Sequence, residues 1–192
     1  MIETDAFEKI EIENLAQLRD WLACNHAQTA SVWLVRYKKT TPAKFVDRLD
    51  ALDELLCFGW IDGLARKLDD ERTMQLISPR RQQAWAQSYK DRVEKLQYEG
   101  RMAEPGRAAI LRSKELGFWD AYAGSDALEV PDDLRLALIA MPPAGTWFTA
   151  SAPSYRRNVL RWIGNAKTQL TREKRVNQTA KTARQGAKIP QM

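Results

Sequence analysis

The hydrophobic positions change period along the chain. Ile10 and Ile12 alternate with charged residues between Phe7 and Ile12, which predicts a short edge strand. Asn14 predicts the cap of a helix from Leu15 to Asn25, in which Leu15, Leu18 and Leu22 recur at helical spacing beside Trp21. His26 falls at its C-terminal end, where an imidazole suits the last carbonyls. Ser31 to Lys38 is dense in β-branched and aromatic residues and predicts a central strand, ended by Thr40-Thr41-Pro42. Asp47 or Asp50 predicts the start of a second helix with an apolar stripe of Leu49, Leu52, Leu55 and Leu56, ending before Gly59. Trp60 to Leu68 and Thr73 to Ile77 predict two strands joined at Asp69-Asp70-Glu71.

From Gln83 onward every pattern is helical. Tyr89 to Glu99 is stopped by Gly100, Pro105 opens a helix ended by Gly117, and Asp132 or Asp133 starts a short one that Pro142-Pro143-Ala144-Gly145 ends. Ala152-Pro153-Ser154 opens a helix carrying Val159, Leu160, Trp162 and Ile163. Thr168 or Thr171 opens a last basic one whose apolar content is Val176 and a few alanines, so it must dock or fray. The predicted fold class is α+β, a small antiparallel β-sheet packed against helices, with a helical C-terminal half. Residues 1–152 are expected to form the α+β core and 153–192 a basic helical segment packed on the same domain.

Composition narrows the class. No apolar run approaches the ~18 residues of a membrane span, and Met1 to Lys9 lacks the regions of a signal peptide, so a cytoplasmic protein is expected. Cys24 and Cys57 form no metal or redox spacing and are expected as buried free thiols; His26 is the only histidine, which excludes a histidine-rich metal site. No metal and no cofactor are predicted. The net charge of +5 is uneven: from Tyr155 to Met192 ten lysines and arginines face one acid, Glu173, so the preceding 154 residues carry a net −4. A basic helix of this kind is a solvated face or a docking surface for an acidic partner or nucleic acid.

Candidate chemistry concentrates between Cys57 and Trp85. If Trp60 begins a strand, Trp60, Asp62 and Arg66 share one face, flanked by Gly59 and Gly63. Arg80 and Arg81 follow the next strand and precede Trp85, in a connection suited to phosphate or carboxylate. Two readings stand for these six residues: a pocket for a small anionic or mixed-charge ligand, or a structural ion pair under packed tryptophans. A third gives Asp62 the role of general acid or base, which requires its carboxyl to face open space. A fourth places an anionic partner on Arg156, Arg157, Arg161, Lys167, Arg172, Lys174 and Arg175. No standard catalytic motif is present.

With these residues in view, the chain resembles the YdeI/OmpD-associated, or bacteriocin-protection, family. The resemblance runs through Trp33, Tyr37-Lys38-Lys39, Cys57-Phe58-Gly59-Trp60-Ile61-Asp62-Gly63, Pro79-Arg80-Arg81 and Trp85. It returns in Gly100-Arg101-Met102, Gly117-Phe118-Trp119, Ser154-Tyr155-Arg156-Arg157 and Thr171-Arg172-Glu173-Lys174-Arg175. The chain departs from that pattern at Ala86, Tyr89 and Leu170. The resemblance implies a soluble bacterial α+β protein linked to envelope stress or bacteriocin tolerance; it supplies no catalytic residues.

Overall fold

The computed structural model describes residues 6–190, so the first part of the Met1 to Lys9 stretch lies outside the described residues. The chain forms two compact units, one running to Asp120 and the other starting at Ala121.

The first unit holds a four-stranded sheet in the order β1-β2-β4-β3, built from β1 (Lys9–Ile12), β2 (Val32–Tyr37), β3 (Trp60–Lys67) and β4 (Arg72–Pro79). The three long strands are antiparallel, as expected; the edge strand β1 lies parallel to β2 and makes the sheet mixed. The reason is α1 (Leu15–Asn25), a crossover that returns the chain to the same end of the sheet before β2 starts. Asn14 caps α1 by accepting from the Gln17 amide at 3.0 Å, and Asp47 caps α2 (Arg48–Cys57) by accepting from Leu49 at 2.7 Å.

One face of the sheet, carrying Ile10, Ile12, Val32, Leu34, Ile77 and Trp60, shares its core with Leu18 and Leu22 of α1 and Leu52, Leu55 and Leu56 of α2. Leu49, placed in the α2 stripe by its spacing, is exposed instead. Burial along α2 is continuous from Ala51 to Cys57, because α1, β3, α3 (Gln87–Tyr98) and α4 (Glu104–Glu115) surround that stretch, and the first turn projects past it. Two acids are buried there with partners: Asp53 meets Arg92 at 2.6 Å, and Glu54 bridges Arg19 and Arg101, each at 2.7 Å. Cys57 is buried as expected. Cys24 is exposed, because it falls on the outer face of α1, opposite Leu18 and Leu22.

The second unit is helical: α5 (Ala123–Asp126), α6 (Asp132–Ile139), α7 (Ala144–Ala150), α8 (Pro153–Gly164) and α9 (Gln169–Arg184). The short helices α5 and α7 stand where the hydrophobic pattern predicts only loop and helix end, since four and seven residues are too few to display a period. Phe148 of α7 is fully buried with Leu134, Leu138, Tyr155, Val159 and Ile163. The segment from 153 onward thus shares its core with the two helices before it. Thr168 caps α9 by accepting from the Thr171 amide, and α9 docks through Val176, Thr179, Ala180 and Ala183, which supplies the burial its sequence lacks alone. Among the described residues no helix is long and apolar enough to cross a membrane.

Candidate functional site

Two glycines let a turn of the first unit press against a helix. Gly59 ends α2 with φ +74°, in the left-handed region, and a Cβ there would lie 2.8 Å from the Ala109 Cβ of α4. Gly106 of α4 packs so closely that a Cβ would sit 2.2 Å from the Cys57 carbonyl oxygen. Above this contact opens a cleft of about 470 Å³. Its floor is Phe58 and Gly59. One wall is the end of β4 with Pro79, Arg80, Arg81 and Gln82; a second is the segment His26 to Thr29 after α1; the third is one face of α4, with Pro105, Ala108, Ala109, Arg112 and Leu116 at helical spacing. Three arginines and no carboxylate line it.

Of the six predicted site residues, Arg80 and Arg81 line the cleft. Arg81 donates to the Thr29 carbonyl at 2.9 Å, which joins two of the walls. Arg80 is only 4 % exposed, and its guanidinium stacks 3.7 Å from the Trp85 ring centroid and 5.7 Å from that of Tyr89. One amino group of Arg80 donates to the Ala84 carbonyl at 2.9 Å, while Nε and Nη1 are buried without hydrogen-bond partners. Burial holds this guanidinium down to about 10, against the opposing fields of Tyr89 and Asp62.

The two predicted tryptophans are fully buried and do not wall the cleft. Trp60 packs edge-on to Trp21 and donates to the His26 carbonyl, holding that segment in place; Trp85 supports Arg80 from behind and packs on Trp119. His26 caps α1 as expected, its Nδ1 lying 3.0 Å from the Ala23 carbonyl oxygen.

Asp62 and Arg66 do not share a face. A β-bulge between Asp62 and Ala65 inserts one extra residue, so alternation is offset beyond it. Asp62 pairs with Ile77 on the core face, whereas Arg66 pairs with Met74 and lies over Trp33 on the other face. The Asp62 side chain is 5 % exposed and fully engaged. Its Oδ1 accepts from Tyr89 at 2.6 Å, and its Oδ2 accepts from Arg48 at 2.9 Å and Gln75 at 2.8 Å. Burial raises this carboxyl, but the bonds from Tyr89 and Arg48 outweigh burial and hold it below the usual carboxylate range. Tyr89 in turn is pushed up to about 12, by burial first and then by its bond to Asp62. A carboxylate so enclosed meets the structural reading and fails the open-space condition for a general acid or base.

Arg48, Gln75 and Tyr89, which close on Asp62, carry no local sequence signal for that role. Arg112 does carry one: it interrupts an otherwise apolar α4 strip of Pro105, Ala108, Ala109 and Leu116.

Among the basic residues proposed for an anionic partner, Arg161 pairs with Asp126, Arg172 with Asp133 at 2.6 Å, and Arg175 donates to the Trp162 carbonyl. Lys167 and Lys174 are exposed, as are Lys181 and Arg184 on α9. Among the described residues no group of three or more acids, histidines or cysteines is placed to hold a metal ion.

Residues 10–109 match the family model described as Domain of unknown function (DUF8412). Residues 127–186 match the one described as Bacteriocin-protection, YdeI or OmpD-Associated. The Cys57 to Gly63 string and all six candidate residues fall in the first match, and α6 to α9 in the second. No curated protein and no solved structure matches the chain.

Proposed function

The chain belongs to the DUF8412 family and carries a bacteriocin-protection, YdeI or OmpD-associated domain in its second unit, and we propose that it is a non-enzymatic binding protein for a small anionic ligand. The ligand sits in the cleft of the first unit. The observation that carries this reading is a lining with Arg80, Arg81 and Arg112 and no carboxylate among its residues. Planar guanidinium groups suit a carboxylate or phosphate, and a cleft in low-dielectric surroundings strengthens their pull. Relative to the six predicted residues, Arg112 joins the site, Trp60 and Trp85 support it, and Asp62 and Arg66 stand apart. The description of the second domain supports a setting in bacteriocin protection, and a cytoplasmic role in envelope-stress tolerance is part of the same proposal. Thermal shifts with a panel of small carboxylates and phosphates test the reading. Stabilisation by anions that is lost in Arg81→Ala and Arg112→Ala supports it, and an unchanged response in both variants removes the anion grip.

A second reading has its own observation. Lys174 and Lys181 lie seven residues apart on the exposed side of α9, opposite Val176, Ala180 and Ala183, and neither takes part in an ion pair among the described residues. This face suits an anionic partner through point charges. Partner binding that does not weaken with rising salt rules it out.

A further inference from the structure

Resting on the cleft-binding reading above, we infer that the ligand is an amphiphilic monoanion, with an anionic head on the arginines and an apolar body along α4. The cationic and apolar surfaces are adjacent. The Gly59 carbonyl accepts from the Arg80 amide at 2.8 Å on one side. On the other, the space for a Gly59 Cβ is occupied by Ala109 of α4 at 2.8 Å. The arginine wall and the helix wall therefore meet over a single residue.

The α4 wall joins apolar surface to one cation. Along α4 the cleft meets Pro105, Ala108, Ala109 and Leu116, with Arg112 one turn from Ala108 and one turn from Leu116. Leu116 is left half exposed, an apolar side chain at the rim with only part of its surface covered. Arg81 and Arg112 carry the cleft's accessible cationic groups, and the guanidinium of Arg80, buried on Trp85, adds its field from beneath the wall.

Size separates this ligand from a bare ion. A volume of about 470 Å³ corresponds to roughly fifteen waters at ~30 Å³ each, and a carboxylate or phosphate group alone fills a minor part of it. Part of the remaining volume faces the α4 strip of Pro105, Ala108, Ala109 and Leu116, where each buried methylene contributes to affinity. The lining also argues against a nucleotide, because Phe58, the one aromatic carbocycle in it, is buried and offers little face for a base to stack on.

The test is calorimetric titration of the full chain with acetate, octanoate, inorganic phosphate and octylammonium, all below micellar concentrations. The expected result is octanoate binding at least tenfold tighter than acetate or phosphate, with no binding of octylammonium. Arg112→Gln is expected to weaken octanoate at least tenfold. Ala108→Trp, which fills the apolar wall from an exposed position, is expected to cut the octanoate advantage over acetate to less than threefold. Circular dichroism reports whether each variant folds; where Ala108→Trp disturbs the fold, Ala108→Glu replaces it and is expected to repel the anion. Acetate or phosphate binding as tightly as octanoate overturns the amphiphile and leaves the anion site standing. Octylammonium binding as tightly as octanoate overturns recognition of the head. Absence of binding by every anion overturns the cleft-binding reading itself.

Discussion

The guanidinium carbon of Arg80 lies 3.7 Å from the centroid of the Trp85 ring, with both side chains buried. Stacking of a desolvated cation on an aromatic face contributes about 2 kcal/mol or more, which offsets part of the cost of burying Arg80 with two unbonded nitrogens. Trp85→Ala is therefore expected to cost about 3–5 kcal/mol in urea unfolding, from lost packing and from the exposed cation together. Trp85→Phe keeps an aromatic face and is expected to cost less.

The bonded Asp62 gives stability a signature in acid. Its folded carboxyl titrates below its unfolded value, so its contribution is present above the unfolded pKa and is lost as pH falls through the folded one. Asp62→Asn is expected to destabilise at pH 7 by about 1–3 kcal/mol and to flatten the decline below about pH 4. Denaturant midpoints across pH 3 to 7 check this; an acid limb identical in variant and parent refutes it.

Tyr89 acts at the other end of the scale. Its hydroxyl is pushed up to about 12, above an unfolded value of about 10, so its contribution is complete below pH 10 and falls as pH rises toward 12. Tyr89→Phe is expected to remove that part of the alkaline decline. Tyrosinate absorbance should lose one late-titrating component in the variant, while Tyr37, raised by its bond to Glu11, keeps its own.

The two thiols should differ sharply. Cys24 is exposed, while Cys57 is buried and pushed up to about 11, by burial first and then by the field of Glu54. A thiol reagent is expected to label one cysteine per native chain and two after denaturation. Cys24→Ser should abolish the native reaction.

Glycine replacements rank the contacts under the cleft. Gly106→Ala places a Cβ 2.2 Å from backbone oxygen and is expected to be the most damaging, ahead of Gly59→Ala at φ +74°. Gly100, at φ +69° with nothing within 4 Å, has conformational cost alone, about 1–2 kcal/mol for Gly100→Ala. Melting temperatures in that order support the packing described; equal losses at Gly106 and Gly100 contradict it.

Cap and stop residues were legible in the sequence because they act within one turn of themselves. Asn14 caps α1 as expected, Asp47 and Thr168 are the members of their expected pairs that cap α2 and α9, and Gly59, Gly100 and Gly117 each take the left-handed conformation at a helix end. The long strands and the apolar helix faces were legible for the same reason, since their periods repeat locally. The candidate site was legible in part: Arg80 and Arg81 could be read from their place between a strand and a tryptophan.

Tertiary structure decided what depends on distant residues. The direction of β1 followed from a crossover, and one bulge residue moved Arg66 to the face opposite Asp62. Arg48, Gln75 and Tyr89 came from three separate elements to enclose Asp62. Arg112 shares a cleft with Arg80 and Arg81 after β4 because Gly59 and Gly106 let a turn and a helix touch. The sequence alone determined the longer elements and most of the residues that bound them, through interactions a few residues long. Which charges were neutralised and which were left facing a cleft was decided by packing, because burial and charge pairing are set by neighbours that the chain brings together only when folded.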